Sequence, residues 1–163
     1  MPGRSDGGLR GYVLRALTEI RRAQVRIRIA RSRLEALNDI EGAVRLEALN
    51  EVLERIALRL ETILVLSTTS PELLRALVTA GRALEPLQHH APPDIKQMIV
   101  EVQETLDKIQ NTLTPVEPVV SNPSIVGDEA EEVLREAMEV ARRKVTMQWG
   151  KTDKPRRDLW YRG

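Results

Sequence analysis

The feature that most restricts this chain is the spacing of its aliphatic side chains. From Leu9 onward an apolar residue returns every three or four positions, first as Val13, Leu17, Ile20, Ala23, Ile27, Ala30, Leu34 and Leu37, then as Leu46, Leu49, Leu53, Ile56, Leu60 and Ile63. Such a period lays one apolar stripe along an α-helix. The 163 residues include no Phe and only two Tyr and two Trp, so the core must be aliphatic. Together with 30% charged residues, this suits elongated helices packed along seams better than a compact globule. At this length one domain's worth of core is available.

The first stripe predicts a helix from Leu9 to Asn38, a rod of about 45 Å at 1.5 Å per residue. After Asp39-Ile40-Glu41-Gly42 the stripe resumes at a shifted angle, as in a helical hairpin or in one bent continuous helix. Ser67-Thr68-Thr69-Ser70-Pro71-Glu72 stops that helix and starts another, with Ser70 as N-cap and Pro71 at the first helical position. The third helix turns Leu73, Leu77, Ala80, Leu84 and Leu87 inward. His89-His90-Ala91-Pro92-Pro93 breaks it, and a fourth helix runs from Asp94 to Leu113 on Ile95, Met98, Ile99, Val102, Leu106, Ile109 and Leu113. Pro115, Pro118 and Pro123 mark residues 114–127 as an extended linker. Asp128 then caps a fifth helix to Val145, acidic in its first turn and basic in its last. The expected organisation is all-α: a flexible segment 1–8, a four-helix core 9–113, the Pro-rich linker, a C-terminal helix 128–145 and a basic tail 146–163.

The net charge of +1 hides a reversal of sign along the chain. Met1 to Arg33 carries nine arginines against Asp6 and Glu19, whereas Glu35 to Glu61 carries seven acids against Arg45, Arg55 and Arg59. A basic arm that seeks anionic surfaces is thus joined to an acidic body that can pair with it, or with the arm of a neighbouring copy. The row Glu47, Glu51, Glu54 and Glu61 is the expected acidic partner and the candidate self-assembly surface.

No motif for bond chemistry stands out. Gly81 lies alone in a helix and no glycine-rich loop follows a strand. The two histidines, His89 and His90, are adjacent in a loop with nothing linking them to a nucleophile. The absence of cysteine excludes disulfides and thiolate metal sites. These features predict no catalytic residue, no metal and no cofactor. Neither a signal peptide nor a run of about 20 apolar residues is evident, which predicts a cytoplasmic protein, peripheral to a membrane at most.

The basic helix carries a second pattern. Arg15, Arg22, Arg26 and Arg33 border the buried stripe on one side, and Arg10, Arg21 and Arg28 on the other. Between the rows, opposite the core, lie Leu14, Val25 and Ile29. Aliphatics framed by arginine suit an interfacial membrane contact, with guanidinium groups at headgroup phosphates. Val25 and Ile29 packed on another helix would give the same pattern, and arginine rows equally match nucleic-acid phosphates, although the arm lacks stacking aromatics. In the C-terminal helix Val133, Leu134, Ala137, Met138 and Ala141 form a narrow stripe that must dock on the core or in a partner's groove.

A basic first helix, an acidic second, the stretches Leu53-Glu54-Arg55-Ile56-Ala57-Leu58-Arg59-Leu60-Glu61-Thr62-Ile63 and Leu73-Leu74-Arg75-Ala76-Leu77-Val78-Thr79-Ala80-Gly81-Arg82-Ala83-Leu84, then Pro93-Asp94-Ile95-Lys96-Gln97-Met98-Ile99 and Glu132-Val133-Leu134-Arg135-Glu136-Ala137-Met138, together resemble the ESCRT-III family, in its archaeal CdvB-like branch. The resemblance spans Leu9 to Lys144. It departs from the family pattern in a contracted first hairpin. It implies an elongated helical hairpin followed by shorter helices, assembling with copies of itself or with relatives into membrane-bound filaments that constrict necks in division, budding and scission. It also implies that Glu131, Leu134, Ala137, Met138 and Arg142 form a helix that folds back on the core or is read by the MIT domain of a AAA ATPase. A helical nucleoprotein or coat subunit, holding nucleic acid on the same arginine rows, is the alternative from another class.

Overall fold

A computed structural model describes the backbone of residues 2–66, 70–113 and 123–162 and the side chains of residues 8–66, 70–113 and 127–146. Five helices account for the described fold: α1 (Pro2–Ala36), α2 (Ile40–Leu66), α3 (Pro71–Gln88), α4 (Pro93–Leu113) and α5 (Pro123–Arg162). No strand occurs among the described residues. The chain is all-α, as its periodicity predicts.

The first two helices form a hairpin, not one bent rod, and the reversal is made by three residues. Asn38 has a φ of 65°, a left-handed conformation that asparagine tolerates better than most residues. Its N–H donates to the Glu35 carbonyl at 3.0 Å, and the Asp39 N–H donates to the Leu34 carbonyl at 2.8 Å. This pair of bonds closes the last turn of α1 as a Schellman motif. Asp39 then opens α2, because its Oδ1 accepts from the Gly42 N–H at 3.0 Å. One residue therefore ends one helix and caps the next. Gly42 is needed beside it, since a Cβ there would lie 2.5 Å from Asp39 Oδ2. Leu37, expected in the buried stripe, is 76% exposed, because α1 stops at Ala36 and the chain turns away before Leu37 can face α2.

The core is aliphatic and gathers around α2, which packs against α1, α3 and α5, while α4 closes the bundle against α1 and α3. Leu49, Val52, Leu53, Ile56 and Leu60 are fully buried, and Ala43, Ala48 and Ala57 are buried with them. They cover more than one side of α2, as a helix with three neighbours requires. Val13, Ala16, Ile20, Ala23 and Ile27 of α1 supply the facing seam. Ser70 caps α3 through Oγ, which accepts from the Leu73 N–H at 3.1 Å with Pro71 following. In α3 the deepest leucine of the first turn is Leu74, and Leu73 is half-buried.

Two boundaries differ from expectation. Helix α1 starts at Pro2, so the segment expected to be flexible is helical in backbone, with proline at a first helical position that needs no N–H. Helix α5 starts at Pro123 in the same way and continues to Arg162. Asp128 is therefore interior and not a cap, and the residues expected to form a tail extend the helix. Of the proposed linker, residues 114–122 lie outside the described residues.

Two changes probe this account. Leu53→Ala should cost about 2–5 kcal/mol in urea unfolding, since it opens a void at a fully buried position of α2. Asp39→Ala should cost about 1 kcal/mol, and Gly42→Ala should fail to gain the roughly 1 kcal/mol that Ala normally adds inside a helix, because it displaces the capping carboxylate.

Candidate functional site

The arginines of α1 fall into three environments, set by their position around the helix. Arg31 is buried. Its Nη1 donates to Glu47 Oε1 at 2.6 Å and its Nε to Glu35 at 2.8 Å, and Asn50 donates to the other Glu47 oxygen at 3.1 Å. A paired, hydrogen-bonded charge of this kind is tolerated inside a protein. It ties the base of the hairpin together.

Arg21 occupies the second environment, at the solvent edge of the α1–α2 seam. Its two terminal nitrogens reach Glu54 at 2.7 Å and Glu61 at 3.0 Å. Gln24, which is buried, donates to the same Glu54 oxygen at 2.9 Å. This Gln24 bond is the largest influence holding the Glu54 carboxyl below the usual carboxylate range; partial burial opposes it and Arg21 reinforces it. The bond to Glu54 likewise raises the Arg21 guanidinium further above its ordinary value.

The third environment is the outward face. Leu14, Val25 and Ile29 are exposed by 45%, 54% and 45%, in a line opposite the buried seam. Arg10, Arg22, Arg26, Arg28 and Arg33 flank them, exposed and in no ion pair among the described residues. Arg15, also exposed, lies 3.5 Å from Glu19. Leu14, Leu17, Thr18, Arg21, Arg22 and Val25 line a shallow depression of about 480 Å³. Among the described residues, therefore, no other helix covers Val25 and Ile29. Helix α4 lies to one side, where Thr105 donates to Glu19 at 2.7 Å and Lys108 sits 5.9 Å from the centre of the Tyr12 ring.

The four glutamates expected to serve assembly are all engaged within the chain: Glu47 with Arg31, Glu51 with Lys144, and Glu54 and Glu61 with Arg21. Of the two pairings the sequence allowed, same chain or neighbouring copy, the structure contains the first. The bond that Lys144 donates to Glu51 is the largest influence raising Lys144 above the usual lysine value, with burial opposing it.

The stripe of α5 docks on the protein's own core. Ala137, Ala141 and Val145 are buried, while Leu134 and Met138 are half-buried against the same cluster. Glu131 and Arg142 are exposed, the latter 3.9 Å from Glu41. Ion pairs flank the stripe, from Arg55 to Glu136 at 2.7 Å and from Arg75 to Glu129.

His89 and His90 are exposed between α3 and α4, and no group of three metal-ligating side chains gathers among the described residues. Within the same limits no helix is long and apolar enough to cross a membrane. No protein-family model, curated protein or solved structure matches the chain.

Sequence reasoning passed over Arg31 as a buried anchor and Leu58 and Val65 as exposed apolar residues of α2. A signal for each existed. Arg31 lies eight positions after Ala23 and four after Ile27, inside the buried stripe, and Leu58 and Val65 fall outside the stripe of Leu53, Ile56, Leu60 and Ile63.

Glu47→Ala should cost about 3 kcal/mol in urea unfolding, because it strips a buried guanidinium of a carboxylate, and Arg31→Met with Glu47→Leu should restore most of the loss. Glu54, with its proton affinity lowered by folding, contributes stability that is present above the ordinary carboxylate range and lost as pH falls through its folded value. Glu54→Gln should therefore flatten the fall in stability below about pH 4.3, and an unchanged acid limb would remove this cluster from the account.

Proposed function

We propose that this protein is a filament-forming, membrane-remodelling subunit of ESCRT-III type, which binds anionic bilayers peripherally on the cytoplasmic side through the outward face of α1. The observation that carries the reading is the line of Leu14, Val25 and Ile29, exposed between Arg10, Arg22, Arg26, Arg28 and Arg33, which are in no ion pair among the described residues. Guanidinium groups at that position meet lipid phosphates while the aliphatics dip beneath them. Each basic residue near an anionic surface is worth about 1 kcal/mol, so one copy binds weakly and a polymer of many binds tightly. The work of bending comes from that summed contact, with no bond chemistry in the chain.

Because Glu47, Glu51, Glu54 and Glu61 are satisfied internally, contacts between copies would use other surfaces or require these pairs to exchange. Recognition of α5 by an MIT domain would likewise require it to leave the core, since Ala137 is buried there. A nucleic-acid partner would meet the same arginines. The exposed aliphatics between them favour lipid, because they offer phosphates and bases nothing.

Co-sedimentation with phosphatidylserine-containing vesicles and with DNA, at low and moderate salt, separates the two partners. Arg22→Glu with Arg26→Glu should abolish vesicle binding and leave helix content unchanged, as both side chains are exposed on the outer side of α1. Undiminished binding by the double variant would sink the assignment of this face.

A further inference from the structure

Leu58 and Val65 of α2 are exposed by 53% and 81%. A single exposed leucine needs no explanation, but Arg21 shows where this one lies. Its guanidinium bonds Glu54 and Glu61, which sit one turn before and one turn after Leu58 and so share its side of α2. On α1, Leu14 and Val25 stand seven residues before and four after Arg21 and share its side in the same way. The outer edge of α1 and the exposed strip of α2 are thus one surface, two helices wide, with Arg21 at the seam.

We infer that the lipid-contacting surface is this whole hairpin face, with Leu58 and Val65 entering an anionic bilayer beside Leu14 and Val25, and with Arg21 shielding Glu54 and Glu61 instead of holding a headgroup. The inference rests on the membrane reading and extends it to α2. The occupant follows from charge. The guanidinium groups of Arg22, Arg26 and Arg28 beside this surface, in no ion pair among the described residues, select an anion, and the exposed aliphatics of the two helices select an apolar phase beneath it. Two bare carboxylates facing a bilayer of their own sign would be repelled. Arg21 removes that obstacle by spanning both.

The chain has no cysteine, so Val25→Cys, Leu58→Cys, Val65→Cys and, as a control on exposed α5 surface, Glu139→Cys can each carry one environment-sensitive fluorophore. With vesicles of phosphatidylserine in phosphatidylcholine, the first three probes should brighten and shift to the blue, and the probe at Glu139 should not. If the probe at Val25 responds while those at Leu58 and Val65 keep their aqueous emission, α1 alone meets lipid and the inference is overturned. Silence at all positions, with the protein left in the supernatant, would remove the membrane reading itself. A blue shift at Leu58 that appears on concentrating the protein without vesicles assigns the face to a second copy and also overturns the inference. For Arg21, Arg21→Gln should lower vesicle binding severalfold with helix content unchanged, and adding Glu54→Gln and Glu61→Gln should restore it. A triple variant that binds as poorly as Arg21→Gln would make Arg21 a direct lipid contact and overturn the shielding role.

Discussion

The fold depends on the breadth of the apolar surface of α2. A helix with one stripe is satisfied by one neighbour, and a hairpin would have sufficed. Here the central stripe of Leu49, Val52, Leu53, Ile56 and Leu60 is flanked by buried Ala48 on one side and by buried Leu46, Ala57 and Ala43 on the other, so α3 and α5 are obliged to join α1 around α2. The alanines interleaved among these residues let the neighbours approach closely. Helix α5 answers with small residues of its own, Ala137, Ala141 and Val145. Its seat is thin in apolar volume and framed by ion pairs, unlike the broad leucine and isoleucine seam between α1 and α2.

That breadth also explains what the sequence could and could not reveal. Helix existence, the breaks at Ser70-Pro71 and at Pro92-Pro93, and most buried positions were legible, because periodicity and capping chemistry are local. The hairpin turn was legible only as a choice between two geometries. What decides it is the left-handed Asn38 with the double use of Asp39, a conformation that residue type permits without requiring. The ends of α1 and α5 were misplaced because nothing in one sequence says how far a helix continues past its last packed residue. The outward line on α1 was visible by angle alone. That its arginines divide into buried, seam and free groups was not, since the division depends on which helix lies on which side.

That partition changes the meaning of the charge reversal between α1 and α2. Read as totals, a basic arm and an acidic body suggest general attraction. In the folded protein the acids are consumed by specific arginines and by Lys144 of α5. The pairing neutralises the seam of the hairpin and leaves arginines without an ion pair among the described residues on the outer face of α1. Exposed pairs of this kind add little stability singly; their effect is to decide where the unneutralised charge remains.

That outer charge is written entirely in arginine, for no lysine occurs before Lys96. A guanidinium keeps its proton across any pH a cell reaches, and it is not a target for the acylations that erase the charge of a lysine amine. The face therefore has no chemical off-switch of the ordinary kind. Its attraction for an anionic surface can be tuned by the surface's own charge density, by dissolved ions that screen it, or by a competing acidic partner laid over it, while the protein itself presents a constant electrostatic face.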